Sequence, residues 1–204
     1  MKRIKNWSVF ESVNSDDFKK IWEILQRDCS KFLELLSQRG VKGIYRGKLI
    51  QQDPILPGLW KFESNLKRKP KDTSKKMHDL IDGELEYKFG IPLRSRGVFA
   101  TKNLSIASDY PGEAYLFFPI GEFRYFWNPY IDDLFTELRD NTTWYYKDPY
   151  FWTEDEQLDF DEIISGYKEG GIEFIRLQEI TFICQSYYLI DVEYYDYWLD
   201  YMKF

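Results

Sequence analysis

The chain has 204 residues, 44% of them hydrophobic and 19% aromatic, which suffices for one folded domain with a sizeable core and argues against disorder. Its 34 acidic residues outnumber its 28 basic residues. The resulting net charge of −6 argues against broad electrostatic binding of nucleic acid, although a local basic patch could still bind it. Two distant cysteines, the lack of a signal-peptide core and the lack of a long apolar stretch predict a cytoplasmic protein without a membrane partner.

The histidine content narrows the possible chemistry, because His78 is the only histidine in the chain. It cannot form a metal site with two distant cysteines, so we expect no metal. A serine or cysteine nucleophile activated by histidine would have to use this one residue. If the chain is an enzyme, carboxylates, arginines and hydroxyls are therefore expected to carry the reaction. His78 itself is interpreted as a structural residue on a helix face, and a role in a binding site stays open.

The first predicted elements are a helix over residues 15–38 and a strand over residues 41–48. Apolar residues recur along the helix at three- and four-residue steps, which places them on one face. Ser15 is the predicted N-cap, and Gly40 is expected to end the helix.

A basic segment at residues 65–76 follows a proline-containing loop. It carries six bases against one acid, and Lys67, Arg68 and Lys69 are among them. The segment is either a solvated face or a surface that binds phosphate groups. It leads into a predicted helix over residues 74–88.

The middle of the chain predicts short strands alternating with helices. Residues 96–110 are typical of a strand, a turn and a short helix with Asn103 as N-cap. Two consecutive strands joined at residues 119–121 follow, and then an amphipathic helix at 130–140. Six acids and no bases at residues 154–162 begin another predicted helix.

The C-terminal part is rich in apolar, strand-forming residues at 171–175 and 179–192. The aromatic tail at 193–204 either packs on the sheet or serves as a partner surface. A helix first, then strands with interspersed helices and finally a strand-rich end favour an α+β domain over a doubly wound parallel sheet. The sequence has neither GxGxxG nor GxxxxGK[ST], so neither a Rossmann nor a P-loop nucleotide site is indicated.

Three short motifs carry the side chains best suited to chemistry. In Tyr45–Arg46–Gly47, the guanidinium offers a rigid fork of donors to a phosphate or carboxylate, or else forms a structural ion pair. In Phe99–Ala100–Thr101, a strand ends with a hydroxyl that serves either a site or a turn. Glu179 opens an apolar strand, where a carboxylate is either solvated or well placed to act on a sugar hydroxyl.

These motifs, in this order, resemble those of the ADP-ribosyltransferase family, in its arginine–serine–glutamate or toxin-like branch, of the phage and bacterial type. That branch has an aromatic-Arg-Gly strand, a Phe-x-Ser-Thr-Ser strand before a helix, and a Glu-x-Glu or Gln-x-Glu leading into an apolar strand. The resemblance spans about residues 43–192. It implies a single α+β domain over residues 1–204, with a split mixed or antiparallel β-sandwich core flanked by helices.

The sequence departs from the family pattern in two places. Thr101 stands where the family has its first serine, and Lys102 and Asn103 replace the next two residues. Leu177 stands two residues before Glu179, where many protein-modifying members have Glu or Gln that engages the target. Glu169, or Glu173, could take that role if the loop folds back.

The resemblance implies that the protein binds NAD+ as co-substrate and transfers ADP-ribose to a macromolecule, releasing nicotinamide. Glu179 would offset the charge that develops on the ribose, as in other glycosyl transfer. Arg46 would clamp the diphosphate or the adjacent ribose and hold NAD+ bent, and Thr101 would orient Arg46 or Glu179. Tyr45 or Phe99 could stack on the nicotinamide ring. Gly47 would let the ligand approach the backbone closely.

Several alternatives stay open. The acceptor is either a protein or RNA/DNA, and Lys67, Arg68 and Lys69 are candidate target contacts alongside Glu169 and Leu177. Such a transferase would suit a toxin or an effector in phage–bacterium conflict, with an antitoxin or inhibitor protein as a further partner. An NAD+ glycohydrolase would use the same site with water as acceptor. A non-enzymatic partner-binding module, docking through the aromatic tail and the acidic segment, is the alternative of another class.

Overall fold

The computed structural model of the protein describes residues 14–69, 73–142, 145–171 and 179–203. The helices in these ranges are α1 (Ser15–Asp28), α2 (Ser30–Arg39), α3 (Lys75–Phe89), α4 (Leu93–Arg96), α5 (Leu104–Asp109), α6 (Leu134–Asn141), α7 (Glu154–Ser165) and α8 (Tyr195–Met202). The strands are β1 (Tyr45–Lys48), β2 (Leu59–Glu63), β3 (Val98–Thr101), β4 (Glu113–Pro119), β5 (Phe123–Trp127), β6 (Lys168–Glu169), β7 (Glu179–Cys184) and β8 (Ser186–Asp191). The mixture of helices with an antiparallel sheet is the α+β class that the sequence predicts.

The predicted first helix is divided into α1 and α2. Cys29 leaves the helical region of backbone space, and the carbonyl of Asp28 accepts a hydrogen bond from Gly121 in the loop after β4. The N–H groups of Phe32 and Leu33 donate to the carbonyl of Cys29, so a separate helix starts after the break. The N-cap is Asn14, one residue before the predicted Ser15, and Gly40 ends α2 in the left-handed conformation, as predicted.

The strands form one hydrogen-bonded sheet in the order β2-β8-β4-β1-β3-β7-β5-β6, and every pair within the described residues is antiparallel. The predicted strands β4 and β5 are consecutive in sequence but are not neighbours in the sheet. At the centre, β1 and β3 share a single residue pair, Tyr45 opposite Thr101. This narrow junction divides the sheet into two halves.

The two halves pack against each other across the junction. β4 and β7 are three places apart in the sheet, about 14 Å in a flat arrangement. Yet the rings of Phe117 on β4 and Phe182 on β7 have centroids only 4.9 Å apart. The sheet is therefore bent into two facing layers. The strands form one continuous sheet, and its described pairs are antiparallel, which is one of the two arrangements expected for the core.

Side-chain caps fix the helices that border the sheet. Ser74 caps α3 by accepting from the backbone of Met77, and Asn103 caps α5, as predicted. Thr153 and Glu156 form a reciprocal capping box at the start of α7. The predicted helix at 130–140 begins later, at Leu134, because Asp133 caps it. The predicted strand at 171–175 lies almost entirely outside the described residues.

The aromatic tail belongs to the core. Trp198 on α8 is fully buried, its ring lies 5.0 Å from that of Phe118, and its Nε1 donates to the carbonyl of Lys42 at 2.6 Å. Of the two interpretations of this tail, packing on the sheet is the one observed. None of the helices in the described ranges combines the length and apolar character that a membrane crossing requires.

Candidate active site

A cavity of about 80 Å³ opens where β1, β3 and β7 lie side by side. It is lined by Tyr45, Arg46, Gly47, Arg68, Phe99, Ala100, Thr101, Ile106, Ala107, Tyr110, Asp132 and Glu179. Ligand pockets commonly measure about 300–1,000 Å³, so this cavity is small for a ligand site.

The sheet register brings the three motifs together. Thr101 at the end of β3 is paired with Tyr45 on one side and with Glu179 on the other. Residues 46, 101 and 179 are thus placed on three adjacent strands although they are far apart in sequence. Arg46, Thr101 and Glu179 all line one cavity.

Arg46 is a partly buried cation whose donors are incompletely used. Its Nη1 donates to the backbone carbonyl of Phe99, and its guanidinium lies 5.7 Å from the centroid of the Tyr187 ring. Its Nε is buried and has no acceptor within the described residues. Among those residues, no carboxylate forms an ion pair with Arg46, so the alternative of a structural ion pair is not observed there. A ligand that offers an acceptor to this buried, unpartnered donor would bind more tightly, because the donor would gain a hydrogen bond.

Gly47 is required by close packing rather than by an unusual backbone angle. A Cβ on Gly47 would lie 2.2 Å from the carbonyl oxygen of Ala107 and 2.5 Å from Cβ of Tyr110. The missing side chain allows α5 and Tyr110 to sit directly on β1. In the structure, therefore, the space that this glycine leaves is filled by the protein itself.

Thr101 is buried and serves in the turn that leads to α5. Its Oγ1 accepts a hydrogen bond from the backbone N–H of Asn103 at 3.1 Å. The turn role is therefore observed, and the residue also lines the cavity. The two interpretations of Thr101 are compatible.

Glu179 is enclosed and paired with an arginine that the motifs do not include. Arg94 Nη1 donates to Glu179 Oε1 at 2.8 Å, and the two side chains are only 12% and 11% exposed. Burial raises the pKa of the Glu179 carboxyl, and the Arg94 guanidinium opposes this effect. Burial alone would lower the pKa of Arg94, but Glu179 and other nearby anionic groups raise it above its ordinary value.

Two arginines lie on the Phe99 ring. The guanidinium of Arg68 is 4.1 Å from the ring centroid and that of Arg94 is 4.5 Å from it. A nicotinamide ring could stack on Phe99 only by displacing one of them. Burial, together with the neighbouring Arg94 and Arg46, lowers the pKa of Arg68 to about 10. No carboxylate within the described residues forms an ion pair with Arg68.

Sequence reasoning missed Arg94, Tyr110 and Asp132. Tyr110 lines the cavity and its hydroxyl donates to Asp133 at 3.2 Å, while Asp132 accepts from the backbone N–H of Glu179. Arg94 belongs to the short segment LRSRG, whose two arginines directly precede the Phe99 motif. That proximity is the one sequence signal that could have identified it.

The remaining candidate residues are not gathered around the cavity. Lys67 and Lys69 are exposed and do not line it, although they flank Arg68, which does. Glu169 forms a two-pronged ion pair with Arg124, at 2.6 and 2.9 Å, and does not line the cavity either. Leu177, with Glu173, lies outside the described residues.

His78 is a buried residue of α3 whose Nε2 lies 3.0 Å from Ser95 Oγ and 3.4 Å from Asp82 Oδ2. Burial lowers the pKa of its imidazole. It contacts the turn that carries Arg94 and does not line the cavity, in keeping with a structural role. Within the described ranges, no cluster of three or more His, Cys, Asp or Glu residues is arranged to hold a metal ion.

The charges around the cavity favour a ligand with negatively charged groups. Two guanidiniums, Arg46 and Arg68, have no carboxylate partner in the described part of the chain, whereas Arg94 is matched by Glu179. An anion would offset the two unmatched cations, and guanidinium groups suit phosphate oxygens. The enclosed carboxylate next to them can stabilise a positive charge that develops during a reaction. Comparison with protein-family models, with curated proteins and with solved structures finds no match.

Proposed function

We propose that the protein is an NAD+-dependent mono-ADP-ribosyltransferase, a glycosyltransferase that moves ADP-ribose to a macromolecular acceptor. The observation that carries the proposal is the cavity shared by Arg46, Thr101 and Glu179. It joins the three motifs that resemble those of the ADP-ribosyltransferase family, on the three adjacent strands β1, β3 and β7. An effector or toxin role in phage–bacterium conflict, with an inhibitor protein as partner, belongs to the same proposal.

The unmatched cations support binding of the NAD+ diphosphate. The buried Nε of Arg46 lacks an acceptor among the described residues, and a phosphate oxygen would supply one. Arg68 lies beside it, with its pKa lowered by burial and by the guanidiniums of Arg94 and Arg46. The two negative charges of a diphosphate would relieve this repulsion. Lysine in place of Arg46 could not make a two-pronged contact.

Glu179 fits the demands of the chemical step. Transfer breaks the bond between C1′ of the ribose and the nicotinamide nitrogen, and nicotinamide leaves with the bonding electron pair. Positive charge then develops on the ribose, and the acceptor forms the new bond at C1′ and gives up its proton. A carboxylate fixed in an enclosed site stabilises that charge without reorganising, as in other glycosyl transfer.

The alternative of a non-enzymatic partner-binding module loses part of its basis. It depends on the aromatic tail as a docking surface, but Trp198 and Tyr194 in that tail are buried in the core. The acidic helix α7 remains as a surface for such a partner. The hypothesis of a partner-binding module does not account for the cavity or for its two arginines without carboxylate partners.

The test is release of nicotinamide from NAD+, with transfer of label from NAD+ into fractionated cell lysate. We expect Glu179→Gln to lower turnover by about 10²–10³-fold, the loss typical of one preorganised electrostatic contact. The matched control is Glu84→Gln, which removes an exposed carboxylate on α3, outside the cavity, and should retain turnover. Folded Glu179→Gln with near-normal turnover would contradict the role of this carboxylate.

Arg46→Lys should weaken NAD+ binding, and unchanged affinity would remove Arg46 from the NAD+ site.

The fate of the label identifies the acceptor. Labelled material that resists protease but not nuclease indicates RNA or DNA, and the opposite pattern indicates protein. Nicotinamide release without any labelled macromolecule indicates water as acceptor, which is NAD+ glycohydrolase activity. No release and no labelling, in purified protein with lysate present, would contradict the proposal.

A further inference from the structure

The Arg94–Glu179 ion pair is fixed from both sides. Glu179 opens β7, and its backbone N–H donates to the carbonyl of Asp132 at 2.8 Å. The guanidinium of Arg94 lies on the ring of Phe99, which is a residue of β3. Both side chains are therefore already held in place before they pair. This lowers the conformational entropy that forming the ion pair would otherwise cost.

A carboxylate on α3 holds Arg94 from behind. Asp82 is buried and accepts hydrogen bonds from the backbone N–H groups of Arg94, at 2.6 Å, and of Ser95, at 2.9 Å. The Ser95 hydroxyl also donates to Asp82, and His78 packs against the same hydroxyl. Because α4 is a single turn, it cannot orient itself, and Asp82 supplies the orientation.

Among the described residues, a hydrogen-bond donor reaches only one oxygen of Glu179. Arg94 binds Oε1, and no donor among the described residues reaches Oε2. Glu179 also lines the cavity. In the described part of the chain, one oxygen thus holds the carboxylate and the other is available to a ligand hydroxyl.

We propose that Arg94 is a positioning residue for the Glu179 carboxylate: it holds Oε1 so that Oε2 can receive the substrate, and Asp82 fixes Arg94 in place. The role of Glu179 in a reaction rests on the proposed function, whereas the coupling of Arg94 to Glu179 does not. Arg94 acts through Glu179 and is not itself assigned to the reacting atoms.

The charges around Glu179 predict the direction in which its pKa changes when the Arg94 charge is removed. Arg94 from α4 and Arg68 from the loop after β2 favour the ionised form of Glu179, whereas burial and Asp133, at the start of α6, oppose it. Asp132, Tyr110 after α5 and Arg46 on β1 also line this cavity, and Tyr167 after α7 faces Arg94. Arg94 is the larger of the two cations that favour ionisation, and Arg94→Gln would remove its charge while burial and Asp133 remain. The pKa of Glu179 must then rise.

The experiment follows the Glu179 carboxyl carbon by NMR as a function of pH, in protein labelled with ¹³C-glutamate. The resonance is assigned by its loss in Glu179→Gln. We expect Arg94→Gln to raise the pKa of Glu179 by about one unit or more, since an adjacent arginine commonly lowers a carboxyl pKa by about 1–3 units. Arg94→Lys keeps a cation and should give a smaller rise. Arg96→Gln, on the same turn, is the matched control and should leave the pKa unchanged.

Each outcome decides the matter. A Glu179 pKa that is the same in folded Arg94→Gln and in the natural protein overturns the proposal. If Arg94→Gln does not fold, the Arg94→Lys titration decides, and no shift there relative to the Arg96→Gln control overturns it. If nicotinamide release is observed, we expect its rate to fall about tenfold for each pH unit below the pKa of Glu179. In Arg94→Gln this decline should begin at a higher pH, in step with the pKa measured by NMR. If no release is observed, the proposed function fails while the NMR result still judges Arg94.

Discussion

Substituting Gly47 tests how tightly α5 is packed on β1. In Gly47→Ala, the new methyl group would lie 2.2 Å from Ala107 O and 2.5 Å from Tyr110 Cβ. Carbon contacts are optimal at about 3.5–4.0 Å, so relief requires a movement of about 1 Å. One obstacle is backbone, and no rotation of a flexible side chain can remove it. We expect a loss of about 1–3 kcal/mol in the free energy of unfolding, the usual range for overpacking.

Gly83→Ala is the matched control. Gly83 lies inside α3, and a Cβ there would meet no atom within 4 Å. Alanine is favoured over glycine in a helix interior by about 0.5–1 kcal/mol. The same glycine-to-alanine change should therefore stabilise the protein at one site and destabilise it at the other.

Urea denaturation of the two variants measures the contrast. With a urea dependence of about 2 kcal/mol per molar, Gly47→Ala should lower the midpoint by about 0.5–1.5 M. Gly83→Ala should raise it by a few tenths molar. A Gly47→Ala midpoint equal to or above that of the natural protein would refute the packing argument. Nicotinamide release, if present, should also fall in Gly47→Ala, because Tyr110 and Ala107 line the cavity.

The other predictions concern the helices that cover the sheet. Trp198→Phe removes the hydrogen bond from Nε1 to the carbonyl of Lys42 and should lower the free energy of unfolding by about 1–3 kcal/mol, measured by urea denaturation. The pKa of Asp28 lies below its usual value because Arg27 pairs with it and Tyr188 donates to it, against the effect of burial. Its contribution to stability is therefore present above the unfolded pKa of about 3.9 and is lost as the pH falls through the lower folded pKa. Between pH 5 and pH 3, the urea midpoint of Tyr188→Phe should fall less than that of the natural protein. An equal fall in the two proteins would contradict this assignment.

Local patterns predicted the elements whose ends are set by neighbouring residues. Gly40 ends α2 and Asn103 begins α5 because each acts on the backbone within a few residues. The prediction of one helix over residues 15–38 was wrong for the opposite reason. At the break, the carbonyl of Asp28 accepts a hydrogen bond from Gly121, which is distant in sequence and reaches Asp28 only in the folded protein.

The sequence by itself determined the α+β class, most helix ends, and the three motifs with Arg46, Thr101 and Glu179, because period, caps and side-chain chemistry are local properties. Only the tertiary structure decided that β1, β3 and β7 are neighbours, that the sheet bends at one residue pair, and that Arg94 meets Glu179. Strand order and ion pairs between distant segments depend on which surfaces bury each other. That choice is made by the whole chain at once, and no short stretch of sequence records it.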